Sequence, residues 1–156
     1  MLLRKSLDCN NMKSEWEVFQ EFLAQKGMRA TPEREAILAE VFANHDHFDV
    51  EELILRLRHK GLRISRASVY RTLALLVEGS LVQEVFVEDG HMHYEHIYGH
   101  EHHCHLRCLG CRKIIEFRNG SVEEAETRLG QAHDFEVTGH KLEIYGYCAN
   151  CRALKR

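Results

Sequence analysis

From Trp16 onward the chain sets short apolar stripes against polar faces at helical spacing. Trp16, Phe19 and Leu23 form the first stripe, and Gly27 is placed to end it. Thr31 before Pro32 opens a second helix, because a hydroxyl can cap free amides and proline suits the first helical position. Its core side is Ile37, Leu38, Val41 and Phe42. Asp49 followed by Glu52 is a capping-box-like start for a third helix, which carries Leu53, Ile54 and Leu57 and stops near Gly61. A fourth helix follows after a short turn, with Ser65 as cap, Val69, Leu73 and Leu76 as buried stripe, and Gly79 as stop.

Two helices joined by a tight turn make a helix-turn-helix, whose second helix can lie in a major groove. The period then falls to two in LVQEVFVEDGHMHYE, which reads as two strands around Asp89-Gly90, a dipeptide that tolerates the positive φ of a hairpin turn. Helix-turn-helix plus hairpin is a winged helix, expected over residues 15–93 after an N-terminal extension, 1–14. From Tyr94 the pattern predicts a strand (His105–Arg107), a CxxC turn, a strand (Lys113–Phe117), a helix (Ser121–His133) and a last strand (Glu136–Tyr147). That is a second, small α/β domain, residues 94–156, and an α+β chain as a whole.

Composition changes this picture little, whereas the distribution of charge changes it more. A chain of 156 residues with 44% hydrophobic content can bury two small cores. No run approaches a membrane span, and MLLRKSLDCNNMK lacks an apolar signal region, so the expected location is cytoplasmic, with no membrane partner. The net charge is −3, yet Arg56, Arg58, Lys60, Arg63, Arg66 and Arg71 fall between Leu53 and Val77 with no Asp or Glu among them. A basic helix-turn-helix inside an acidic protein points to DNA, with a solvated helix face as the alternative.

Of the six cysteines, Cys108 and Cys111 form one CxxC pair and Cys148 and Cys151 another, with 36 residues between the pairs. Each pair on a tight turn can aim both sulfurs at one ion, and four thiolates suit tetrahedral zinc with no position left for substrate. An iron-sulfur cluster and redox disulfides are the competing readings. Cys9 reads as an incidental thiol.

Six of the twelve histidines fall between His93 and His105. If the run His100–His105 is extended, His103 and His105 face one side and His102 and Cys104 the other. Two faces suggest two further metal sites. Imidazole and carboxylate donors suit iron(II), zinc, manganese or nickel and permit reversible binding, as a sensor requires. A polar strand with solvated histidines is the plain alternative, and His59, His91 and His133 read as surface or capping residues.

Thr31–Arg34 (TPER), Ser68–Leu73 (SVYRTL), His103–Cys111 (HxHLxCxxC), Ile114–Phe117 (IIEF) and the terminal CxxC together resemble the ferric uptake regulator family, from about Glu15 to Cys151. The resemblance implies a homodimeric, metal-activated transcription repressor that binds double-stranded operator DNA, with no small organic substrate and no enzymatic activity. It implies a winged helix-turn-helix domain plus a C-terminal dimerisation domain with a structural zinc site made by the four paired cysteines. The family's regulatory site maps onto His47, His103, His105 and Glu116, with either Glu95 or His96 as a further ligand. Its additional site maps onto His102, Cys104, Glu123 and His140, where Cys104 stands in place of a common aspartate. Arg29, Ser68, Tyr70 and Arg71 are the expected DNA contacts, with a core role as the alternative for Tyr70. Arg71 and Glu116 match the iron-sensing branch, so Fe2+ is the expected corepressor beside structural Zn2+, with Zn2+ or Mn2+ able to replace it in vitro. Zinc-responsive and peroxide-responsive regulators are the alternatives within the family. Outside it stand a metallohydrolase with an open histidine site and a metal-storage protein.

Overall fold

The computed structural model describes residues 13–100 and 103–154. Cys9 and His102, both singled out above, lie outside them. Packing separates two compact units, one ending at His100 and the other beginning at Glu101.

The first unit contains α1 (Glu15–Gln25), α2 (Pro32–Phe42), α3 (Val50–His59), α4 (Arg66–Glu78), β1 (Val82–Glu88) and β2 (His91–His96). The expected caps are in place: Thr31, Asp49 and Ser65 each accept a backbone N–H of the helix that follows, and Asp49 and Glu52 form a complete capping box. Ser14 and Glu17 form a second one, at the start of α1. Gly27, at φ +66°, lets Met28 N–H reach back to the Leu23 carbonyl and close α1. At the end of α4 the left-handed residue is Ser80 and not Gly79. Gly79 instead lies where space is tight, since a Cβ there would meet the Phe22 ring at 3.3 Å.

Phe19, Leu23, Ile37, Leu53, Leu73 and Leu76 join Phe48 and Leu81 in one buried core. β1 and β2 pair antiparallel through a turn in which Asp89 and Gly90 both have positive φ, the conformation that dipeptide favours. β2 extends past His93 to His96, and the amides of Ile97 and Tyr98 both bond the Leu81 carbonyl, which ties this stretch to the first unit.

The second unit has β3 (Cys104–Cys108), β4 (Ile114–Phe117), α5 (Gly120–Ala132), β5 (Glu143–Gly146) and α6 (Ala149–Leu154). β3 is central, antiparallel to β4 and parallel to β5. The last strand is shorter than expected, because only Glu143–Gly146 pair with β3. The short helix α6 was not expected, and it carries Cys151. Among the described residues no helix is long and apolar enough to cross a membrane.

Candidate metal centres and DNA-reading surface

The ends of β3 and β5 bring the two CxxC pairs together. Ligand atoms of Cys108, Cys111, Cys148 and Cys151 all lie within 4.8 Å of one another. The Cys111 and Cys148 sulfurs are 3.8 Å apart, and tetrahedral zinc with bonds of about 2.3 Å requires about 3.8 Å. Cys108 Sγ accepts the Cys148 backbone N–H at 3.3 Å. Such amide donors, with those of Cys111 and Gly110, pull the Cys108 thiol down to about 6. Hydrogen bonding to Cys148, together with burial, pushes the Cys151 thiol up to about 12. Four thiols so close together cannot all ionise cheaply, and a cation among them offsets the shared charge. The five described cysteines form no disulfide.

Strand alternation separates the two faces of β3 as expected. The His103 and His105 rings lie 4.9 Å apart on one face. His105 is buried and sits directly opposite Glu116 on β4, whose carboxylate is 3.9 Å from His103 Nε2.

On the other face Cys104 Sγ lies 3.9 Å from His140 Nε2. Burial, reinforced by the charge of Glu123, pushes the Cys104 thiol up. One oxygen of Glu123 is shut off from solvent with no hydrogen-bond partner among the described residues, as a carboxylate awaiting a cation would be. His140 Nδ1 meets Glu126 Oε2 at 2.6 Å. Sequence reading missed Glu126, although it stands one helical turn from Glu123 on α5 and the i, i+3 spacing could have found it.

In the first unit one backbone bridge decides the geometry. Phe48 and Tyr94 exchange N–H···O bonds of 3.0 and 2.8 Å. Antiparallel register then sets His47 beside Glu95, and His47 Nε2 lies 3.0 Å from Glu95 Oε2. His96, the next residue on β2, instead meets His45 Nδ1 at 3.1 Å. Burial, with His100 and His45 adding to it, holds the His96 imidazole below its ordinary value.

Tyr70 is 49% exposed and therefore serves a surface and not the core. Ser65 caps α4 and leaves Ser68, Tyr70 and Arg71 on its outer side. Arg29, Ser68 and Arg71 line one polar cleft with Thr31 and Arg34.

The family model described as the ferric uptake regulator family matches residues 25–145. A ferric uptake regulation protein of Campylobacter jejuni is 33% identical over 141 residues, which is 89% of either chain. The peroxide-responsive repressor PerR of Staphylococcus epidermidis is 30% identical over 147 residues, 94% of this chain and 97% of that one. The fold is similar to that of the Helicobacter pylori ferric uptake regulator Fur, with a TM-score of 0.70 and 26% identity, covering 90% of this chain and 97% of that one. The Helicobacter structure is described as revealing three functional metal-binding sites. Members of the iron, peroxide and manganese types are metal-responsive repressors. The chain belongs to the ferric uptake regulator family.

Proposed function

We propose that this chain is a homodimeric cytoplasmic repressor of iron uptake and homeostasis genes, with Fe2+ as corepressor and Zn2+ as a structural ion. The observation that carries the reading is the division of donors. His47 and Glu95 are already paired in the DNA-binding unit, while His103, His105 and Glu116 gather on one face in the other unit. An ion drawing on both sets fixes the angle between the domains. In a dimer that angle sets the separation of two recognition helices, which must match sites about 34 to 36 Å apart. A shift from 1:99 to 99:1 in favour of the competent form requires about 5.5 kcal/mol, within reach of several coordinate bonds.

Ile115, Leu106 and Ile144 line up across the three strands of the second unit, each more than a third exposed. An apolar row on a sheet supports that unit as the dimerisation domain. Cys108, Cys111, Cys148 and Cys151 would hold the structural zinc. His102, Cys104, Glu123 and His140 would hold the additional ion. Arg29, Ser68, Tyr70 and Arg71 would read the operator, with arginine on guanine edges or in a narrow minor groove and tyrosine against a thymine methyl.

Cys104 favours a second reading, a zinc-responsive regulator, because a thiolate softens the additional site. Operator binding by zinc-loaded, sensor-empty dimer, titrated separately with Fe2+, Zn2+ and Mn2+, separates the two. The iron reading expects Fe2+ to activate binding at the lowest free concentration, and activation by Zn2+ alone would replace it.

A further inference from the structure

A third group of donors lies wholly within the DNA-binding unit. His45 sits in the loop between α2 and α3, His96 ends β2, and His100 closes the turn that follows. Strand alternation turns His96 away from the Glu95 side, and the Ile97–His100 turn, closed by a 3.2 Å bond from His100 N–H to the Ile97 carbonyl, brings His100 back against it. The three rings form a closed triangle, with centroids 5.0, 4.6 and 5.2 Å apart. One nitrogen of each points inward: His96 Nε2 is 3.1 Å from His45 Nδ1 and 2.8 Å from His100 Nε2.

From these contacts we propose that His45, His96 and His100 form a further metal site, one that takes a divalent ion of the zinc, cobalt or nickel class.

Donor and acceptor accounting supports the site. A neutral imidazole has one N–H and one lone pair. The His96 ring is hydrogen-bonded to the Val41 backbone. Its Nε2 faces the other two rings, so that bond is assigned to Nδ1–H, and a neutral ring then keeps a single lone pair at Nε2. Two further ring nitrogens crowd that one lone pair, which can accept a hydrogen bond from only one of them. A cation resolves the conflict, because all three nitrogens can then direct lone pairs at one point.

The dimensions agree. Zinc–nitrogen bonds of about 2.0 to 2.1 Å at tetrahedral angles need nitrogens about 3.3 Å apart, and those of His45 and His100 lie 3.1 and 2.8 Å from His96 Nε2, so the rings need to open by about half an ångström or less there. The bond from His96 to the Val41 carbonyl is also the kind of outer partner that fixes a ligating imidazole in its tautomer. The Phe42 ring, 4.8 Å away, backs His96 on its buried side.

The donor set selects the class of ion. Three neutral imidazoles with no carboxylate or thiolate suit borderline transition metals and not Mg2+ or Ca2+. His45 and His100 are exposed, so the fourth position opens to water. Every ligand belongs to one unit, so binding needs no change in the angle between domains, and this sets the site apart from the regulatory one proposed above.

Cobalt(II) tests the assignment. Full-length dimer retaining its structural zinc is titrated with Co2+ and followed by visible absorption and equilibrium dialysis, beside a His45→Asn/His100→Asn variant and a His47→Ala variant. The parent should bind one more Co2+ per protomer than the double variant, and His47→Ala should keep the absorption of this site that the double variant lacks. The extra ion should show d–d bands without thiolate-to-cobalt charge transfer. Equal stoichiometry and equal spectra in parent and double variant would overturn the proposal. Both substituted residues are exposed, and unchanged far-ultraviolet dichroism checks the fold. In the unsubstituted protein the same ion should shift the imidazole NMR signals of His96 and His100, and signals that stay in place through saturation would overturn it independently.

Discussion

Glu95 and His96 are neighbours on β2 whose side chains serve opposite partners, Glu95 meeting His47 and His96 meeting His45. The alternation of a strand therefore divides one dipeptide between two clusters of donors. Glu95→Gln should abolish metal-dependent operator binding while leaving metal uptake at the three-histidine site intact. Mobility shifts paired with cobalt titration would show the separation, and loss of both functions together would contradict it.

His47→Ala should leave the dimer and its structural zinc in place and remove the metal dependence of operator binding. Sedimentation, zinc analysis and footprinting with and without Fe2+ are the measurements. Metal-dependent footprinting that matches the parent's would remove the hinge model.

Arg71→Ala should weaken operator affinity by about 1 to 3 kcal/mol, roughly five- to 150-fold, if the side chain chelates a base. Metal content should not change. An unaffected footprint would take Arg71 out of the interface.

Gly110 stands inside the first CxxC, and a Cβ there would meet Cys151 Sγ at 2.8 Å. Gly110→Ala should therefore displace one of the four sulfurs and speed loss of structural zinc to a chelator. Cys151→Ser should go further and unfold the second unit, since structural zinc contributes about 10 to 16 kcal/mol in small modules, comparable with a domain's whole stability. Chelator-release kinetics and far-ultraviolet dichroism report the two effects. Zinc retention equal to the parent's in Gly110→Ala would contradict the steric account.

His96 provides a pH prediction. Its folded-state value lies below the ordinary 6.5, so between the two values the unfolded chain binds more protons. The metal-free protein should therefore lose stability as pH falls from the ordinary histidine value through the lowered one. Urea midpoints at neutral and mildly acidic pH should differ less in His96→Gln than in the parent, and an equal difference would count against the assignment.

The sequence carried the helices of the first unit well, because their signals are local: Thr31-Pro32, Asp49 with Glu52, Ser65, and Asp89-Gly90 each act within a few residues. The cysteine quartet was legible for a similar reason, since each CxxC places its own two sulfurs. That Glu95 and not His96 pairs with His47 was not legible, because it depends on the bridge between Phe48 and Tyr94, which are distant in sequence. His45 escaped notice, and His100 counted only as the start of the histidine run, for the same reason, as their meeting depends on the path of the chain after β2. The limits of β5 were overestimated because apolar spacing alone does not say where pairing with β3 stops.

The central position of β3 also bears on the rate of folding. Its pairing with β4 closes a short turn, but its parallel pairing with β5 must wait until the 36 residues between the two cysteine pairs have closed into a loop. Long-range parallel pairing is slow, because loop-closure entropy is lost before any contact compensates for it. An ion that grips both pairs at once works as a reversible cross-link across that loop. Zinc availability during synthesis would then govern how quickly the second unit reaches its native topology, as well as how long it stays there.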